Sequence, residues 1–368
     1  MTAIGRGVSL ALLVCVVYFF PQRADQAPPP GSSFARMVAG LSEEPGYFDT
    51  DNLVSNERSY LHVVPELRTL AGHHRGAVYI GVGPGQNFSY IAHLRPSMAI
   101  VIDIRRENLL LHLLFKALFA EARGRVEYLA MLTGRPTPPL LADWTPRAIE
   151  EIVEYIDRAR PLPDTDLRAT RARLTRVIDA FGVPLTNGDR ATIERFHRRF
   201  IAEGLSLQFN TSGRPPQYDY PNLRTLLLEV DRHGTRRSHL ASEDDFQFVK
   251  RLQRDDRIVP VVGNLSGDTA LMAIARFLSQ SDLKVAAFYT SNVEDYLFRD
   301  GRFPDFIENL HRLPRLPDSL IVRSVFRSGG AGVARLPGYN SASVTQPIDT
   351  LVKGYASGRY HDYRDLVR

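Results

Sequence analysis

Cysteine is almost missing from this chain. Its one cysteine, Cys15, lies inside an N-terminal apolar run. A disulfide framework, a thiolate nucleophile and a cysteine metal centre are thereby excluded from everything that follows. Long apolar runs are also lacking. Val8 to Phe20 spans 13 residues, short of the roughly 20 that cross a bilayer as a helix. Charge of one sign is not in large excess, with 46 basic against 41 acidic residues and a net charge of +5. Nothing in this balance calls for nucleic acid as a partner. The G-x-S-x-G elbow, the G-x-x-x-x-G-K-[ST] phosphate loop and the H-E-x-x-H zinc motif do not occur. Hydrolase, kinase and metalloenzyme readings are disfavoured with them. The ten histidines are scattered, and no metal-ligand spacing stands out.

What is present is organised around Ala77 to Arg106. Ala77 to Val82 is a short apolar run with β-branched residues, as expected for a strand buried on both faces. It runs into Gly81, Gly83 and Gly85, where the backbone can adopt positive φ and approach a ligand closely. Ser97 to Ile104 reads as the second strand. Asp103, near its end, follows Gly83 by 20 residues, the spacing at which a carboxylate reaches ribose hydroxyls. The glycine spacing is G-x-G-x-G, with Gln86 where a dinucleotide fingerprint would place its third glycine.

The N-terminal 35 residues read as targeting sequence. Arg6 precedes the apolar run, and a proline-rich linker with Pro28 to Pro30 follows it. The pattern suits a signal peptide or membrane anchor and points to a membrane-anchored or periplasmic location. Without that signal the protein would be cytoplasmic. The folded domain is expected over 36–368. Ser55 can cap a helix running to about Leu70, interrupted at Pro65, which would cover the ligand as a lid. Asn56, Glu57 and Tyr60 lie on it. Asn108, His112 and Lys116 form one polar stripe on an apolar helix, Asn108 to Ala122. Residues 124–204 read as a helical insertion. Its arginine-rich helices lack interleaved aromatic residues, so a solvated face or an anionic partner surface is expected rather than specific nucleic-acid binding. Leu205 to Arg237 reads as a long functional loop in which Asp219, Tyr220 and Asn222 could line the site.

Further strands are expected at Ile258–Gly263, Lys284–Thr290 and Ser319–Phe326, alternating with helices. The rhythm predicts an α/β fold with a mostly parallel, Rossmann-like sheet. Asn264, Asn292 and Glu294 follow strand ends, where open α/β sheets place ligands.

The G-x-G-x-G spacing resembles the first motif of class I S-adenosylmethionine-dependent methyltransferases. Tyr79 departs from it, standing where those enzymes usually carry an acidic residue. From Val54 to about Val367 the chain also resembles a family of uncharacterised bacterial proteins with a class I methyltransferase-like Rossmann fold. That likeness is carried by Ser55-Asn56-Glu57, Tyr79 to Pro84, Asp103-Ile104-Arg105, Val259 to Gly263 and Phe288 to Glu294. The resemblance implies S-adenosylmethionine as cofactor, with Gly81, Gly83, Gly85 and Asp103 around it. Asn56, Glu57, Asn264, Asn292 and Glu294 would surround a methyl acceptor. It implies no particular acceptor or catalytic residue. An exported domain would meet little of this cytoplasmic metabolite. The alternative expectation is therefore an envelope-located, non-enzymatic binding protein that keeps the fold without the cofactor, its partner a small molecule.

Overall fold

A computed structural model describes residues 32–367 except 75, 212–218, 327–332 and 334. The apolar run Val8–Phe20 and most of the turn expected at Ser328–Val333 lie outside the described residues. Among the described residues, no helix is long and apolar enough to cross a membrane.

Six strands form one sheet: β1 (Val78–Val82), β2 (Met98–Asp103), β3 (Ile258–Val262), β4 (Val285–Ser291), β5 (Arg315–Phe326) and β6 (Ser341–Pro347). Their order is β3-β2-β1-β4-β5-β6. The first five are parallel, and β6 runs antiparallel to β5. The fold is α/β and Rossmann-like. β1 and β3 are buried along their whole length, as parallel strands covered on both faces must be. The strand order reverses between β1 and β4, which opens a crevice at their C-terminal ends.

Helices follow the apolar periodicity closely. Arg125–Thr133 and Phe303–Arg312 are helices that bury their apolar residues. Glu243–Arg254 begins on Ser242, whose side chain accepts from the Asp245 amide. The expected break at Pro65 separates a 3-10 helix, Arg58–Val63, from the α-helix Val64–His73. The connection from β2 to β3 is the large one. Its helix Arg106–Glu121 packs on β3 and carries the two long helices Asp164–Ala180 and Asn187–Glu203. The expected loop from Leu205 begins in a 3-10 turn, Gly204–Ser206, and holds an isolated bridge between Gln208 and Asn222. β6 has no apolar signature: Ser341 and Ser343 are buried against other hydroxyls, not against aliphatic side chains.

Candidate functional site

The glycine turn at the end of β1 is held from inside. Asn87, wholly buried, donates its amide to the carbonyls of Val82 at 2.9 Å and Pro84 at 2.7 Å, and accepts from the Tyr79 hydroxyl at 2.7 Å. The space a Cβ of Gly81 would need is taken by Asn87 and Tyr79. Gly81 is thus required by the protein's own packing, and Tyr79, the departure from the acidic position, is the group that packs there. Gly83 has φ +81°, which favours glycine. A Cβ on Gly85 would meet only ordinary contacts with Phe115 and Phe88.

Across the crevice stands Glu57. It is 1% exposed and has no cationic partner among the described residues. Three hydroxyls donate to its carboxylate: Tyr289 at 2.6 Å from β4, Ser291 from the same strand and Ser324 from β5. Burial pushes its pKa up, and these hydroxyls pull it back only in part. Gln86 donates to the Tyr289 hydroxyl at 3.1 Å, which joins the glycine turn to Glu57 across the switch point. Ser291 sits at φ +55°, a left-handed conformation uncommon for serine.

Asp103 reaches the C-terminal end of β2 as the spacing implies. Its carboxylate is already engaged by Arg105, through Nε at 3.0 Å and a second guanidinium nitrogen at 2.8 Å. Arg105 in turn donates to the Thr50 carbonyl at 2.8 Å. Thr50 belongs to a strap that lies over the strand ends. Glu43 N donates to Val262 O and Gly46 N to Ile104 O. The strap continues to Asn52, beside Gly83, with φ +45°. The reading from sequence missed it, because its residues carry no periodicity and its partners are all distant in the chain.

The polar stripe on the helix Arg106–Glu121 points inward. Asn108 and His112 are 3% and 2% exposed. His112 Nε2 lies 3.0 Å from the Gly83 carbonyl, so that nitrogen carries the proton. Burial pushes the His112 pKa down to about 4, so the ring is neutral. Its Nδ1, both amide atoms of Asn108 and the Gln86 Oε1 are buried with no partner among the described residues. Lys116, by contrast, is paired with Asp256 at 2.7 Å.

The remaining expected positions are dispersed. Glu294 is fully buried and pairs with Arg323 through two contacts of 2.6 and 3.0 Å. Asn264 caps its own loop through Ser266, at β3, which is separated from β1 by β2. Asn292 precedes the helix Val293–Arg299 and is partly exposed. Asn56 gives its carbonyl to Asn340 at 2.7 Å, and Asn222 caps the short helix Leu223–Leu227. The structure therefore brings Gly81, Gly83 and Glu57 to the β1/β4 crevice, with Asp103 beside it and Asn292 just after β4, and leaves Asn56, Asn264 and Glu294 engaged by Asn340, Ser266 and Arg323. Gln86, Tyr289, Ser291 and Ser324 join them from positions that the sequence reading did not place around Glu57. Among the described residues, no group of three or more His, Cys, Asp or Glu could hold a metal ion.

Residues 52–161 and 216–357 match the model of a domain of unknown function, DUF7790. The unmatched stretch between them contains the helices Asp164–Ala180 and Asn187–Glu203. No curated protein matches the chain.

Proposed function

We propose that this chain, which belongs to the DUF7790 family, binds S-adenosylmethionine at the C-terminal ends of β1, β2 and β4, as a class I methyltransferase-like protein. One observation carries this reading. The Asn108 amide, one turn beyond Asp103, is buried with both its donor and its acceptor unpartnered. An asparagine amide matches an adenine edge, which offers one donor beside one acceptor. Asp103 would take the ribose hydroxyls with the lone pairs Arg105 leaves. Gly83 allows the close backbone approach. Methyl transfer asks chiefly for alignment of donor and acceptor, so the lack of a strong base is no objection.

Calorimetric titration of the full chain with S-adenosylmethionine and S-adenosylhomocysteine tests this. Binding is expected, weakened by about 5- to 150-fold in Asn108→Ala, the worth of a two-point amide–adenine contact. No binding at millimolar ligand by a folded sample would overturn it.

A second reading has its own support: the crevice is largely filled by the protein itself. Arg105 holds Asp103, Asn87 and Tyr79 fill the space at Gly81, and the strap crosses the strand ends. This suits a non-enzymatic, envelope-located binding protein without the cofactor. Fusing residues 1–40 to a reporter active only in the periplasm discriminates, since absence of export would count against it.

A further inference from the structure

On the far side of Gln86 lies a cavity of about 60 Å³. Its walls come from residues within 124–204 and on either side of that stretch, with Tyr60, Phe88, Phe115, Tyr128, Phe200 and Leu226 among them. Leucine side chains and aromatic rings make up most of the lining, and no described charged side chain belongs to it. Ser55, Gln86, Ser89 and His239 are polar residues of the lining, and two of them hold buried atoms with no partner among the described residues: Gln86 Oε1 and the Nε2 of His239, which is 8% exposed.

The hydrogen-bond pattern gives each atom a role. The Gln86 amide nitrogen donates to Tyr289, so Oε1 faces elsewhere as an acceptor. The Ser89 hydroxyl accepts from the His239 backbone N–H at 3.0 Å and lies 3.4 Å from Nδ1. With Ser89 donating to Nδ1, the ring proton sits on Nε2, which becomes a donor. Burial pushes the His239 pKa down to about 3, so the ring stays uncharged at neutral pH. Buried polar atoms without partners cost stability, and a ligand that satisfies them recovers it.

We infer that this cavity binds a small, uncharged, hydroxylated aromatic molecule, its ring against the aromatic walls and its hydroxyl between Gln86 Oε1 and His239 Nε2. A hydroxyl both donates and accepts, which is what an acceptor and a donor together require. A carboxylate or an ammonium would enter without a counter-charge. One water needs roughly 10–15 Å³ by this measure of volume, so the space holds on the order of four to six waters, about the room of one small ring. The inference goes beyond the adenosylmethionine reading and does not depend on it.

The test uses the full chain and three aromatic probes: phenol and toluene, which match in size, and the larger, charged benzoate. Saturation-transfer NMR and thermal shift should show phenol bound, toluene weaker by about tenfold, in line with lost hydrogen bonds, and benzoate not bound. His239→Phe keeps a ring and removes the donor, and should bring phenol down to the toluene affinity. Its circular dichroism is to match the wild type, and its adenosylmethionine titration is to be unchanged. Absence of phenol binding to the wild-type chain at several millimolar would overturn the inference whatever the variant does, as would toluene or benzoate binding as tightly as phenol. Phenol binding without adenosylmethionine binding would leave this inference standing and remove the other.

Discussion

Gly81→Ala is the sharpest perturbation the glycine turn permits. If Gly81 only makes room for a ligand, a methyl group there would abolish binding and leave the fold untouched. The geometry dictates another outcome. A Cβ at Gly81 would lie well inside 3.0 Å of the Asn87 Oδ1 and the Tyr79 hydroxyl, and 2.8 Å from the Tyr79 ring. Overpacking of this kind costs about 1–3 kcal/mol. Moving Asn87 aside also strains its bonds to Val82, Pro84 and Tyr79, and each buried polar group left unpaired adds about 1–3 kcal/mol. A total of about 2–5 kcal/mol is expected, a large share of the about 5–15 kcal/mol that stabilises a typical domain. Urea unfolding followed by circular dichroism should show a lower midpoint with an unchanged slope. A double-mutant cycle with Asn87→Ala localises the cause. Removing the Asn87 amide frees part of the space, so the double variant should lose at least about 1 kcal/mol less than the two singles together. Gly81→Ala within about 0.5 kcal/mol of the wild type, or strict additivity, would refute the reasoning.

Two further outcomes follow from the buried carboxylates. Glu57 has its pKa raised by burial, so the folded chain holds that proton more tightly than the unfolded one. Its contribution to stability is full below the ordinary value of 4.5 and is lost as pH rises through the raised one. Against Glu57→Gln, the wild type should lose stability as pH rises above about 4.5, with a slope of at most about 1.4 kcal/mol per pH unit; parallel profiles would show that Glu57 does not titrate in this way. Arg323→Met leaves Glu294 buried without its partner and should cost about 3–5 kcal/mol in urea unfolding, most of it recovered by adding Glu294→Leu. A loss below about 1 kcal/mol would mean that Glu294 is not held as a charge by Arg323.

The strands that carry the site were legible because each is a short run buried on both faces, where composition and burial coincide. β1 and β3 show this best. β6 was not legible. Its serines are buried, but their partners are Ser59 and Ser324, far away in sequence, and hydroxyls that satisfy one another leave no apolar trace. The inward stripe of Asn108, His112 and Lys116 was visible as a period of four. Its meaning was not, because the same spacing fits a lysine that reaches the rim and an asparagine that faces a ligand. On this one helix Lys116 pairs with Asp256, whereas the Asn108 amide has no partner among the described residues. The strap of residues 42–52 illustrates the same limit. Its bonds to Val262, Ile104 and Arg105 are tertiary, and nothing local announces them.

Glu57 and Glu294 show where sequence reasoning stops and why the stopping point is physical. Both sit near strand ends in the expected site, and both are almost completely buried. A carboxylate removed from water must be paired with a cation or bear the cost of its charge. Glu294 finds Arg323, which fixes its charge and leaves its oxygens directed at that guanidinium; it has little left to offer a ligand. Glu57 finds only hydroxyls. Hydroxyls can both donate and accept, so they tolerate the group in either protonation state and commit it to neither. A group free to change charge, bordered by a strained serine and linked through Tyr289 and Gln86 to the glycine turn, is where chemistry at this crevice would have to be conducted. That difference rests on one arginine from β5, 29 residues beyond Glu294, and no spacing rule places it there.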